Sequence, residues 1–346
     1  MLINRKNPHG GDIYSNRVSV DFSSNMNPEG MPGAVRQAVI DAAEYAGTYP
    51  DPFCGELRMR ISESENIPYD RIICGNGAAE LIYSYAYCLP KERPALVVSP
   101  TFSEYGSALD AAGVPFERYM LSESNGFRPD GVILREDLTG YSAVFICTPN
   151  NPTGITVDPD LHEAVCGTGA RVFCDLCFVP LSDDPLTYDV PRLVDTYPNL
   201  TVLKAFTKSF SMAGLRLGYA FCSDRVFIEE MSSKTQCWNV SYVAQKAGTA
   251  ALGCGNWLAE SVTRMRTERE RLRKAVVECG IRVYPGEANY LLLYSEHDLY
   301  RLLLEKGILI RDCSNYEGLK KGFYRVAVRR RDENDMLISA LREVIL

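Results

Sequence analysis

The stretch VLKAFTKSFSMAGLRLGYAF (residues 202–221) decides how the chain is read. It runs apolar to Phe206, turns small and polar around Lys208, brings in Arg216 and returns to an apolar run. Two short apolar segments flanking a polar turn read as buried strands, because strands covered on both faces lose the polar alternation of surface strands. A solvated loop explains a lone lysine. It does not explain a lysine preceded by Thr207 and followed by an arginine inside Gly-Leu-Arg-Leu-Gly.

Working outward, RIICGNG, ALVVSP, AVFICTP, RVFCDL, LTVLKAF and RLGYAFC read as strands, with helix-like stretches at 78–89, 103–112 and 158–166 between them. This alternation predicts an α/β fold: a three-layer, mostly parallel sheet with helices on both faces. After residue 240 the pattern changes. A helical region over 242–279 precedes IRVYP, NYLLLY, a helix near 297–306, GILIRD, FYRVAV and a final helix, which reads as a smaller C-terminal α/β domain. The expected organisation is an N-terminal arm over 1–45 with one short helix near 33–45, a large domain over 46–240 and the small domain over 241–346.

Bulk properties remove several function classes. The 346 residues are 46% apolar and 23% charged, with a net charge of −7. The most charged segment, RMRTERERLRKAVVE, alternates Glu and Arg at helical spacing and reads as a solvated helix face, so no nucleic-acid partner is expected. No uninterrupted apolar run approaches eighteen residues and the first twelve hold no apolar signal core, so no membrane partner and a cytoplasmic location are expected. Most of the twelve cysteines sit in apolar patterns as small hydrophobes, without disulfides. Cys174 and Cys177 form a C-x-x-C, but there is no second pair at finger spacing, and His9, His162 and His297 are scattered. A metal site is not expected.

In an open α/β sheet, ligands bind at the carboxyl ends of the strands. The predicted strands deliver unusual residues there. GNGAAE is a glycine turn into a helix N-terminus, which favours an anion. Asp175 ends a buried strand and needs a cationic or hydrogen-bonding partner. One cofactor accounts for the anion site, the aspartate and Lys208 together. Pyridoxal 5′-phosphate has a phosphate for the helix, a pyridine nitrogen for the carboxylate and an aldehyde for the lysine. Arg216 and Thr207 would add phosphate contacts, and Phe102 could stack on the ring. The lysine and the arginine then hold two ends of one small molecule.

CTPNNPTG, the strand-end Asp175 and TKSFSMAGLRLG together resemble the fold-type I aminotransferases of the aspartate aminotransferase superfamily, over nearly the whole chain. The resemblance implies that Lys208 joins the cofactor covalently and that Asp175 pairs with its ring nitrogen. It also implies that Asn151 bonds the ring 3-oxygen and that Gly77, Ala78, Thr207 and Arg216 bind the phosphate. Arg325 of YRVAVR would take the substrate α-carboxylate. Tyr49 of TYPDP would reach the phosphate in the neighbouring subunit of a homodimer with shared active sites.

Length and motifs are similar to the histidinol-phosphate aminotransferase branch. HGGD, DFSSNMNPEGMP and ILIRDCSNYEGL are similar to the threonine-phosphate decarboxylases of cobamide biosynthesis within it. That similarity implies a small phosphorylated amino-acid substrate, contacted by His9, Gly10, Asn25 and Arg311 together with Asn151 and Arg325. Three departures stand out: Leu176 and Cys177 replace a usual Glu-Ala after the aspartate, Phe178 stands for a tyrosine, and Ala205 for a serine or threonine. Decarboxylation and transamination both remain open, because the same residues serve both.

Overall fold

The computed structural model describes residues 9–185 and 190–345. The first eight residues of the expected arm and the last residue of the expected small domain lie outside these. Among the described residues, the central element is a seven-stranded sheet. Its order is Ile72–Gly75, Gly218–Phe221, Leu200–Ala205, Val172–Asp175, Val144–Cys147, Ala95–Ser99, Phe116–Met120. All six expected strands are present. The edge strand Phe116–Met120, sequence FERYM, was not expected; three of its five residues are exposed.

Gly218–Phe221 runs antiparallel to both neighbours, while the other strands run parallel. The connection from Ala205 to Gly218 explains this. It holds only the four-residue helix Phe206–Ser209 and a short turn at Ala213–Leu215. A parallel return needs a crossover that spans the sheet, usually through a full helix. The chain therefore doubles back at the same sheet edge.

Side-chain alternation along the strands feeds a core on each face. Val172 and Cys174 join a cluster with Val144, Ile146 and Val202, while Phe173 joins Phe145, Leu203 and Ala220 on the other side. The helices Ala78–Tyr87 and Glu104–Ala112 cover the second face.

A four-stranded antiparallel sheet follows, in the order Arg311–Asp312, Phe323–Ala327, Tyr290–Tyr294, Arg282–Val283. It packs on the helices Gly255–Glu278 and Arg331–Ile345 through Leu272, Val276, Leu337 and Leu341. The expected single strand GILIRD is two pieces. Ile308–Leu309 pairs in parallel with Val20–Asp21, and Arg311–Asp312 joins the four-stranded sheet. The N-terminal stretch is thus tied to the last third of the chain.

Candidate active site

The parallel strands end on one edge, and the antiparallel strand begins there. Lys208, three residues past Ala205, and Arg216, two residues before Gly218, are therefore brought to the same edge. A cavity of about 250 Å³ opens along it. Of the residues expected from the sequence, His9, Gly10, Asn25, Ala78, Phe102, Asn151, Asp175, Thr207, Lys208, Arg216, Arg311 and Arg325 line this cavity. Gly77 stands behind the wall, and Tyr49 lies outside it, 76% exposed, with its ring 4.6 Å from that of Trp238.

Gly77 precedes the helix Ala78–Tyr87 at φ +81°, and no side chain caps that helix end. A side chain at Gly77 would run into the Arg216 guanidinium. The missing Cβ is what lets Arg216 lie over the helix N-terminus. Arg216 itself sits in the left-handed region at φ +57°, and its Nη1 donates only to the Ala213 carbonyl at 3.2 Å. It has no carboxylate partner among the described residues. Free N–H groups and an unpaired guanidinium together make an anion cradle.

Asp175 lies at the floor of the cavity and is buried. Tyr105 donates its hydroxyl to Oδ2 at 2.7 Å and the Cys177 amide donates to Oδ1 at 2.9 Å. Burial raises the carboxyl above its ordinary 3.8, against the hydrogen bonds from Cys177 and Tyr105. Its ionised form still lacks a cation among the described residues. Burial also lowers the Lys208 amine from 10.5 to about 8, helped by the Arg325 and Arg216 guanidiniums. A lysine depressed this far supplies neutral amine near neutral pH, as a nucleophile or base requires.

Arg325 is buried at the far wall. Its Nη2 donates to the Ser23 carbonyl at 2.7 Å and its Nη1 to Asn151 Oδ1, while Nε has no partner. Tyr316 donates its hydroxyl to the same Asn151 oxygen at 3.2 Å. Arg311 is the Cα partner of Arg325 across the strand pair. Its Nη2 donates to Asn315 Oδ1 at 2.7 Å and its guanidinium lies 5.2 Å from the centre of the Tyr316 ring. His9 also lines the cavity, its Nε2 2.9 Å from Glu104 Oε1 and its ring 5.7 Å from that of Phe102.

Tyr105, Tyr316, Ser23 and Cys147 also belong to this site and were not singled out in the sequence. The tyrosines carry no local signal, because their partners lie 70 and 165 residues away. The C-x-x-C divides. Cys177 lines the cavity, whereas Cys174 packs inside with its Sγ 3.4 Å from His162 Nε2. Burial pushes both thiols well above 9, which makes them poor nucleophiles. All twelve cysteines are free. Among the described residues, no group of His, Cys, Asp and Glu could hold a metal ion, and no helix is long and apolar enough to cross a membrane.

Residues 17–341 match the family described as aminotransferase class I and II. The chain belongs to the class I and II aminotransferase family. Within it, this aminotransferase-family chain is 36% identical to threonine-phosphate decarboxylase of Salmonella typhimurium, covering 97% of this chain and 96% of that protein. It is 32% identical to histidinol-phosphate aminotransferase 2 of Archaeoglobus fulgidus, covering 96% and 94%. The crystal structure of the histidinol-phosphate aminotransferase from Clostridium acetobutylicum superposes with a TM-score of 0.87 at 28% identity, covering 94% of this chain and 98% of that one. The aspartate aminotransferase of Thermus thermophilus shares the fold, at TM-score 0.81, 20% identity and coverage of 96% and 93%. The fold is the aspartate aminotransferase-like α/β fold.

Proposed function

We propose that this protein is a pyridoxal 5′-phosphate-dependent decarboxylase of L-threonine O-3-phosphate, releasing CO2 and 1-amino-2-propanol phosphate. The residues fit the cofactor. The Gly77–Arg216 cradle suits its phosphate, Asp175 is a buried carboxylate short of a cation, and Lys208 is a depressed amine in the same cavity. The observation that carries the substrate reading is the cross-strand pair Arg311 and Arg325, both lining that cavity. Like charges directly opposite on neighbouring strands are destabilising. Two guanidiniums side by side fit a ligand with two anionic groups, here an α-carboxylate and a phosphate.

Bound in this cavity, the cofactor supplies an electron sink for the pair left at Cα when a bond there breaks. Asp175 would hold the proton on the ring nitrogen, and Asn151 would face the ring oxygen. Lys208 would attach the cofactor and, once displaced by the substrate amine, would hold and deliver the proton that replaces CO2 at Cα. Arg325 would bind the α-carboxylate, while Arg311, His9, Gly10 and Asn25 would bind the phosphate. The molecule would act in the cytoplasm as a homodimer with Tyr49 reaching its partner's site.

The relatives also support a second reading, transamination of histidinol phosphate. The bond that breaks at Cα is the one held perpendicular to the ring, and one product assay separates the two. Holoenzyme given L-threonine phosphate should release CO2 stoichiometric with an amine product. Faster conversion of histidinol phosphate and an oxo-acid to a keto product would make the transaminase reading the correct one.

A further inference from the structure

The carbonyls of the short helix that carries Lys208 are only partly served from nearby: Phe210 N–H reaches Phe206 O at 3.2 Å and Met212 N–H reaches Thr207 O at 3.1 Å, while Ser211 N–H lies 3.4 Å from Lys208 O. Phe206–Ser209 is four residues long, and helix ends leave carbonyl groups to be satisfied from elsewhere. One residue far away in sequence supplies a closer donor to Lys208 and a donor to Ser209. The Asn27 amide N–H donates to the Lys208 carbonyl at 3.0 Å, and Asn27 Nδ2 donates to the Ser209 carbonyl at 2.9 Å. Ser211 donates its hydroxyl back to the Asn27 carbonyl at 2.8 Å.

The remaining atom of Asn27 points the other way. Its Oδ1 accepts from the Ser261 hydroxyl at 2.7 Å and from the Glu29 amide at 3.0 Å. Ser261 lies fully buried on the long helix Gly255–Glu278, which packs on the four-stranded sheet that holds Arg325. Asn27 is itself buried and uses every polar group it has. Just before it, Met26 Sδ lies 3.9 Å from Lys208 Nζ, Ser23 O accepts from Arg325, and Asn25 O accepts from Asn289.

We infer that Asn27 is a positioning residue for Lys208: it fixes the backbone of the lysine turn and ties that turn, through Ser261, to the helix that packs on the sheet holding Arg325. The inference rests on the reading of Lys208 as the cofactor-binding lysine. A merely stabilising contact could sit anywhere on the arm. This one grips the backbone of the reactive residue and of the next one. Reacting groups tolerate little displacement, since a misplacement of about 1 Å can cost about 100-fold in rate.

The test compares native protein, Asn27→Ala and Ser261→Ala. In the cofactor-free proteins, amine acylation of Lys208 is followed from pH 6 to 11 by peptide mapping. In the holoenzymes, kcat and KM are measured and the lysine carrying the cofactor is mapped after borohydride reduction. Native Lys208 should acylate with a midpoint near 8. Asn27→Ala keeps the backbone N–H to Lys208 but loses the side-chain bonds to Ser209 and Ser261, so the turn loosens and that midpoint should move toward the ordinary 10.5 as the lysine gains access to water. Its kcat should fall on the order of 100-fold while KM changes by less than about threefold.

Ser261→Ala should shift both in the same direction by less, and it decides the matter if Asn27→Ala does not fold. A native-like midpoint and kcat in the folded variants would overturn the inference, as would a loss of thermal stability with no change in either. A native cofactor label on another lysine would instead overturn the reading of Lys208, and the acylation midpoint would still report on the clamp.

Discussion

Arg311 and Arg325 face each other as Cα partners on neighbouring antiparallel strands, and both reach the cavity that holds Lys208. Their surroundings differ. Arg325 is held by the Ser23 carbonyl and by Asn151, deep beside the lysine, whereas Arg311 lies over Tyr316 and also lines a second cavity with Asp312 and Tyr300. The inner arginine suits a group carried by every amino-acid substrate, and the outer one suits a group that only some carry.

Arg311→Ala should therefore lower kcat/KM for threonine phosphate far more than for threonine, by about ten- to a hundredfold. Charge-assisted hydrogen bonds contribute about 1.5–3 kcal/mol each. Arg325→Ala should lower both values comparably, since both substrates present an α-carboxylate. Steady-state kinetics on the two substrates provide the check. Equal losses for both substrates in Arg311→Ala would place the phosphate pocket elsewhere. In the absence of ligand, Arg311→Ala should not lower the melting temperature much, because it also removes a like-charge neighbour.

Asp175→Asn should leave the fold intact while cutting turnover by three decades or more, roughly 4 kcal/mol of barrier. The amide oxygen can still accept from the Cys177 N–H, and the amide NH2, in place of Oδ2, can donate to the Tyr105 hydroxyl oxygen, so the cavity floor keeps both contacts with one reversed in direction. It cannot offset a positive charge on the cofactor nitrogen. Because burial raises the Asp175 carboxyl, its ionised form is costly in the cofactor-free protein, and that cost is present above the folded pKa. The cofactor-free variant should match or exceed the native melting temperature at pH 7. Turnover within a few-fold of native would remove Asp175 from the mechanism.

The strands and the cavity-lining residues at their ends were legible because each has a local signature. An apolar run of four to six residues marks a strand, and a lone charge at its end stands out against it. The edge strand Phe116–Met120 lacked that signature, since Glu117, Arg118 and Met120 face solvent. The helix Gly55–Glu65 was missed for a similar reason, as it buries only Leu57 and Ile61. Tyr105, Tyr316 and the clamp at Asn27 were invisible for another reason. Their chemistry comes from partners 70 to 234 residues away, and a single sequence carries no record of such pairings.

The homodimer with shared active sites proposed above makes a prediction about mixtures. Tyr49 is 76% exposed beside Trp238, outside its own cavity, where a second copy of the chain could receive it. Sedimentation should give twice 38.6 kDa. Lys208→Ala and Tyr49→Ala should each be nearly inactive alone. A hybrid of the two would hold one site with both native residues, so co-refolding the mixture should restore activity to the hybrid fraction. Activity no higher than the sum of the parents would show that Tyr49 does not serve the neighbouring site.

The depressed amine of Lys208 makes a last prediction, about stability and pH. The folded cofactor-free protein releases this proton near pH 8, whereas the unfolded chain releases it near the ordinary 10.5. Below pH 8 both states are protonated, and the folded state bears the full cost of a buried ammonium beside Arg325 and Arg216. Between 8 and 10.5 the unfolded chain binds the extra proton, so stability rises with pH across that window. Above 10.5 both states are neutral and the cost is gone. Lys208→Met removes the charge at nearly constant volume, so it should stabilise the cofactor-free protein at pH 7 by about 1–3 kcal/mol. Its advantage should fade between pH 8 and 10.5 in melts of the two proteins run side by side. A constant difference across the range would mean that the lysine titrates at its ordinary value, and the ready supply of neutral amine that attachment to the cofactor needs near pH 7 would have to come from another source.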